Sequence, residues 1–238
     1  MKFSDKQKAA VKSILEKIPN DQIAKQMAIV DFSQVYKALT AAETEMFDWV
    51  MGLKAKDIGW TGPFFGIDSV PNDLVTITGQ KFLIKKSDGE EHQNIQQAKY
   101  LPKSSFGAYQ KMSQKMETDI GRKLLVDSAY RSPAYQVLIY LTYLDFYKYS
   151  VPKVSTLVAL PGYSEHGVAS NPAIDFVTVD GVPEDGKGEL FEQTPEFKWL
   201  AAKAGDFGLK LTYPRGNTHG AAYEPWHWRY FPTGKSDV

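Results

Sequence analysis

A chain of 238 residues is long enough to bury a sizeable core, as one large domain or as an ordinary domain with an extension. Its 28 basic and 28 acidic residues cancel to a formal charge of zero, which removes the overall electrostatic case for nucleic acid or an anionic membrane as partner. Cysteine is absent, so disulfides, thiolate zinc sites and cysteine nucleophiles are excluded, and any metal must rely on histidine and carboxylate.

The opening MKFSDKQKAAVKSILEKIPN reads as an amphipathic helix over residues 4–17, not as a charged segment followed by an apolar one. Between 21 and 54, Ile23, Met27, Val30, Val35, Leu39, Met46, Val50 and Leu53 recur at intervals that predict one or two further helices. IGWTGPFFGIDSVPND is loop-like from its glycines and prolines. LVTITGQKFLIKK then predicts two short strands turning at Gly79 and Gln80, and SDGEEHQNIQQ a polar surface stretch. Residues 1–97 are therefore expected to form a mainly helical extension with a small hairpin.

The texture changes at about residue 98, where a second domain, 98–238, is expected to begin. Phe106, Tyr109, Met112 and Met116 predict a helix over 104–119, and KLLVDSAY a strand. Ser132 and Pro133 suit the start of a helix running to about Tyr149. Its stretch YQVLIYLTYLDFYKY is interrupted by Asp145 and Lys148 and falls short of the roughly 20 apolar residues that a membrane span needs. The stripe Tyr135, Leu138, Ile139, Thr142, Tyr143 and Phe146 is expected in the core. AIDFVTVDG predicts a strand ending at Gly181, and TPEFKWLAAKAGDFG a helix capped by Thr194 with Pro195 in its first turn. LKLTYP and EPWHWRYF close the chain as strands.

A catalytic zinc site uses three nitrogen or oxygen ligands, keeps one position for water, and needs a nearby carboxylate to take that water's proton. The candidates are His166, Asp175, His219, Glu224 and His227. Glu224 and His227 stand three apart on a predicted strand, where Pro225 bends the backbone and lets both approach one centre. Asp175 lies on the strand that follows His166. His219, in GNTHGAA, reads as a solvated or cleft-lining residue, and His92, in GEEHQN, as a surface one. Of Trp226 and Trp228, on either side of His227, at least one is expected to pack in the core.

SEHGVASNPAID and EPWHWRYF, with SAYRSPAYQ and FGLKLTYPRG, resemble the VanY-type D-alanyl-D-alanine carboxypeptidases, zinc peptidases of the superfamily that includes lysostaphin and the Hedgehog domain. The resemblance covers roughly residues 100–232. It implies an α+β fold: an antiparallel sheet with flanking helices, here carrying the helical N-terminal extension. It also implies one Zn2+ ion held by His166, Asp175 and His227, with Glu224 as general base. Arg131 is implied as a substrate-contacting cation able to stabilise an oxyanion, and Ser128, Gln136 and Ser164 as contacts to the peptide or its terminal carboxylate. One feature departs from the family pattern: the aspartate follows the histidine by nine residues instead of seven, and Ala169 replaces a glycine.

The function so implied is removal of the terminal D-alanine from peptidoglycan stem peptides. L,D-carboxypeptidase, dipeptidase or endopeptidase activity on the same polymer stays open, as does a metal-containing binding module without turnover. An intact Glu224 speaks for catalysis, because a pure binding protein needs no general base. Such a substrate places the protein in the periplasm or cell envelope, with its export signal outside this sequence. Covering the cleft as a lid, binding the cell wall and mediating assembly all stay open as roles of the extension.

Overall fold

The computed structural model describes residues 2–18, 22–85, 91–183, 188–218 and 221–232. They cluster into two compact units that do not follow chain order. The first gathers residues 1–70, 131–168 and 217–222, and the second 71–130, 169–216 and 223–238.

The first unit is helical. Helix α1 (Asp5–Lys17) begins in a capping box, with Ser4 accepting from the Gln7 N–H and the Gln7 side chain returning to the Ser4 backbone. It buries Val11 and Ile14. A 3-10 segment (Gln22–Ile29), α2 (Phe32–Ala38) and α3 (Ala41–Met51) follow. These helices pack around α5 (Pro133–Phe146), whose Val137, Leu141 and Leu144 are buried. Ser132 sets the start of α5: its Oγ accepts from the Tyr135 N–H and donates to the Val30 carbonyl at 2.6 Å. Short α6 (Val151–Ser155) continues the layer.

The second unit carries the sheets. Strands β5 (Leu124–Ser128), β6 (Ala173–Thr178), β8 (His227–Tyr230) and β7 (Leu209–Leu211) form an antiparallel sheet in the order β5-β6-β8-β7. Helices α4 (Lys103–Ile120), α7 (Gly188–Glu192) and α8 (Pro195–Lys203) accompany it. Met112, Met116, Val126, Ile174, Phe176 and Trp228 belong to one buried cluster. This is the expected mixture of antiparallel sheet and flanking helices, with a helical N-terminal region.

Several local readings change, among them the end of β6, which is Thr178 and not Gly181. The strands β1 (Leu74–Ile77) and β2 (Lys81–Lys85) are present, but they do not pair with each other: β1 pairs with β4 (Lys99–Pro102) and β2 with β3 (Glu91–Ile95). The polar stretch after β2 therefore supplies a strand. Gln80, between β1 and β2, is used elsewhere: its side-chain amide donates to the Val126 carbonyl at 2.9 Å and accepts the Val126 N–H at 2.8 Å, acting as a rung beside β5. Helix α5 ends at Phe146, not Tyr149, because Lys148 and Tyr149 adopt positive φ. The stripe on α5 is only partly core: Leu138 is buried, whereas Tyr143 is 39% and Phe146 71% exposed. The closing strand starts at His227 rather than Glu224, with residues 225–226 in a turn.

Candidate metal centre

Cross-strand register builds most of the site. Asp175 on β6 pairs directly with His227 on β8, and residues opposite each other on adjacent strands present their side chains to one face. His227 Nδ1 accordingly lies 2.8 Å from Asp175 Oδ1. On the other side of β6, a register shift between Val126 and Ser128 brings Ser128 opposite Asp175, so that Ser128, Asp175 and His227 form a row across three strands.

His166 arrives on a 3-10 turn (Glu165–Gly167) introduced by Ser164, whose carbonyl accepts the Gly167 N–H at 3.0 Å. His166 and His227 are buried, and the Asp175 side chain is 16% exposed. Ligand atoms of His166, Asp175 and His227 all lie within 4.8 Å of one another. Donors held about 2.0–2.2 Å from one ion in tetrahedral geometry stand roughly 3.3–3.6 Å apart, a spacing this triad needs only small side-chain shifts to reach. Two imidazoles and one carboxylate fit a borderline-soft dication, and a donor set of three leaves a fourth position for water or substrate. The nine-residue step from His166 to Asp175 is absorbed by residues 168–172, which connect the 3-10 segment to β6.

Glu224 is placed by a turn. The His227 N–H donates to the Glu224 carbonyl at 3.1 Å, with Pro225 after the first turn position, where its fixed φ is favoured. This turn, not a strand, is what brings Glu224 Oε2 to 3.8 Å from His227 Nδ1. The partly exposed carboxylate stands beside the donor set without joining it. Its own N–H donates to the Tyr213 carbonyl at 3.1 Å, and the Tyr213 ring stacks on the His227 imidazole at 4.5 Å and 19°. Tyr213 is a neighbour of the site that sequence reasoning missed. Its one signal was membership of LTYPRG, which no spacing rule ties to a histidine fourteen residues later.

The residue before the carboxylate is also held. Arg215 Nη2 bonds Glu192 Oε2 at 2.7 Å and lies over the Tyr223 ring at 4.1 Å. Burial, then the hydrogen bond to Glu192, pushes the Tyr223 hydroxyl up to about 12, so it stays protonated at any physiological pH.

The remaining sequence candidates lie at the start of α5 and on the His166 turn. The Arg131 N–H donates to the His166 carbonyl at 3.1 Å, which ties the two residues together. Among the described residues, Arg131 Nε is buried with no hydrogen-bond partner. Gln136 is buried; its Nε2 donates to the Ala159 carbonyl at 2.8 Å, and its Oε1 has no partner among the described residues either. Ser164 is buried at the head of the His166 turn. Trp228 is the core tryptophan of its pair, with Nε1 donating to the Pro225 carbonyl, whereas Trp226 is half-buried against the same cluster. Arg229 is buried and donates from Nε to the Asn171 carbonyl at 3.0 Å. His92 lies on β3 and is exposed, and His219 lies outside the described residues.

The model of the VanY family, D-alanyl-D-alanine carboxypeptidase, matches residues 98–233, more than half of the chain. The chain belongs to the VanY family. A D-alanyl-D-alanine carboxypeptidase of Enterococcus faecium is 33% identical over 124 residues, 48% of this chain and 37% of that protein, so the chain spans little more than a third of that relative. Among solved structures, the LD-carboxypeptidase LdcB shares 29% identity with a TM-score of 0.51, covering 67% of this chain and 68% of its own. A variant of the vancomycin-resistance D,D-pentapeptidase VanY, solved with Zn(II), shares 26% identity with a TM-score of 0.44, covering 64% of this chain and 79% of its own. The VanY match takes in all eight sequence-named site residues.

Proposed function

We propose that the protein is a zinc-dependent carboxypeptidase that releases the C-terminal D-alanine from peptidoglycan stem peptides. The observation that carries this reading is the convergence of His166, Asp175 and His227 with a fourth carboxylate, Glu224, beside them but outside the donor set. Held by the first three residues, one Zn2+ ion would supply Lewis-acid polarisation of the scissile carbonyl and acidify a water in the fourth position. Glu224 Oε2 accepts the proton of the attacking water and returns it to the leaving D-alanine nitrogen. The Arg131 cation, tied by its backbone to His166, neutralises negative charge developing on the carbonyl oxygen or held by the substrate carboxylate. Arg131 Nε can only donate and Gln136 Oε1 only accept, and among the described residues neither has a partner, which supports a role for both side chains toward a polar substrate. Ser128 and Ser164 flank the donors on strand and turn as further peptide contacts.

Residues 98–238 are read as the catalytic domain and 1–97 as its N-terminal extension, with the cell envelope as the place of action. Among the described residues, no helix is long and apolar enough to cross a membrane. A binding module without turnover would not need Glu224. A second reading, L,D-carboxypeptidase activity, is favoured by the likeness to LdcB.

The test is to measure bound zinc and then D-alanine release from muramyl pentapeptide and tetrapeptide. Release from the pentapeptide supports the main reading, and release from the tetrapeptide alone supports the second. Glu224→Gln should keep its zinc and lose roughly 10²–10⁴ in kcat. Wild-type protein that binds no zinc, or a variant as fast as wild type, overturns the mechanism.

A further inference from the structure

Helix α7 has five residues, too few to hold together by helix propensity, so packing keeps it in place. Its Phe191 is fully buried in the core of the second unit and meets Phe197 at 5.8 Å, edge to face. The two ends of the helix reach the two neighbours of Glu224. At the start, Gly188 stands so close to the Pro225 ring that a Cβ there would fall 3.0 Å from Pro225 Cδ and 3.2 Å from Trp226 Cζ3. At the end, the Glu192 carboxylate accepts a hydrogen bond from the Tyr223 hydroxyl, while Arg215 Nη2 donates to Glu192 Oε2 at 2.7 Å. Arg215 closes the triangle by lying over the Tyr223 ring.

Glu224 needs such support. It sits in a turn and not on a strand, so no ladder of backbone hydrogen bonds fixes its Cα. A general base must stand within hydrogen-bond reach of the proton it takes, and a misplacement of about 1 Å costs much of its effect. The backbone of Glu224 is instead fixed from its surroundings: its N–H is bound to the Tyr213 carbonyl, Tyr223 before it is tied to Glu192, and Pro225 after it is packed on Gly188.

We propose that Glu192 is a positioning residue for the reaction: through the Tyr223 hydroxyl, with Arg215 holding both partners, it fixes the backbone from which Glu224 reaches the attacking water. This inference rests on the reading of Glu224 as general base and goes beyond it, giving α7 and the Glu192–Tyr223–Arg215 triangle a part in turnover. Because the triangle holds the base and not the metal or the peptide, its loss falls on kcat and spares zinc and substrate affinity.

The test measures zinc affinity, kcat and KM for D-alanine release from whichever of the muramyl pentapeptide and tetrapeptide the wild type cleaves. The zinc-loaded variants are Tyr223→Phe, Glu192→Ala, the two combined, and Glu189→Ala. Tyr223→Phe deletes one hydroxyl and keeps the ring under Arg215. Tyr223→Phe and Glu192→Ala should each lower kcat about threefold to tenfold, the worth of one hydrogen bond, with KM and zinc affinity within about twofold of wild type. The combined variant should be no slower than the worse single one, since both break the same link. Glu189→Ala removes an equal charge earlier on α7, from a carboxylate 3.9 Å from Arg215 Nη2. It should leave kcat within about twofold of wild type. As a readout free of turnover, the Glu224 amide proton should exchange with solvent about threefold to tenfold faster in both single variants. Losses that add in the combined variant, a Tyr223→Phe kcat within about twofold of wild type, a Glu189→Ala as slow as Glu192→Ala, or losses that fall on KM or zinc affinity overturn the positioning role. A wild type that cleaves neither peptide, or a Glu224→Gln variant as fast as wild type, overturns the reading of Glu224 as base, and the inference with it.

Discussion

Glu43 shows how a single carboxylate can be held ionised inside a helical layer. Burial opposes its charge, but hydrogen bonds from Lys17 at 2.6 Å, Ser13 at 2.7 Å and the Thr40 N–H at 2.6 Å overcome that penalty and hold it at about 2, against an ordinary 4.5. The folded value lies below the unfolded one, so the stabilisation is complete above about pH 4.5 and is lost as pH falls toward 2. Glu43→Gln should lower stability at pH 7 by roughly 2–3 kcal/mol, and the gap to wild type should shrink between pH 4.5 and 2 in urea denaturation. A gap independent of pH would mean that packing, not charge, holds the pair. Tyr213 and Glu224 belong at this level too. Both are visible in the sequence, yet only coordinates show one stacked on His227 and the other brought to its side by a turn.

Among the secondary elements, the connections between strands carried information that alternation of residue types did not. Gln80 sits in a predicted turn, but its amide satisfies both backbone groups of buried Val126, and the hairpin forms from the next pair of strands. Gln80→Ala would leave two buried polar groups without that partner, and should cost about 1–3 kcal/mol, read as a lower urea midpoint at unchanged m. Gly181, after β6, makes a sharper demand: with φ +77°, a Cβ would lie 1.9 Å from the Leu83 carbonyl oxygen. Gly181→Ala combines left-handed strain of about 1–2 kcal/mol with a backbone clash, so the β2–β3 ribbon must shift. A melting temperature lowered by less than about 3 °C would show that the ribbon gives way easily. The apolar stripe on α5 failed as a core predictor at its C-terminal end. The helix is apolar on nearly every side, and periodicity cannot say which side lacks a neighbour.

For the protein as a folded entity, the donor triad couples metal to stability. Any ligand that binds the native state and not the unfolded chain stabilises it by mass action, about 4 kcal/mol at a thousandfold excess over Kd. Added Zn(II) should therefore raise the melting temperature by roughly 8–16 °C in a chain of this size, with EDTA reversing the shift and Asp175→Ala abolishing it. An unchanged melt in wild type would show that the three side chains do not hold the ion. The helical extension makes a separate contribution: α1, α2 and α3 each contact α5, the helix whose entry carries Arg131 and Gln136.

By itself, the sequence determined most element types, the capped helix starts at Ser132 and Thr194, and the family. These depend on residues close in sequence, whose spacing and local hydrogen bonds act before any long-range packing. It also named His166, Asp175, Glu224 and His227, through motifs whose internal spacing is short. Tertiary structure alone decided that β1 pairs with β4, that Asp175 faces His227 across two strands, that Tyr213 backs the imidazole, and that α7 reaches both neighbours of Glu224. Each joins segments tens of residues apart, where register and burial come from the sum of many weak contacts that no short stretch encodes.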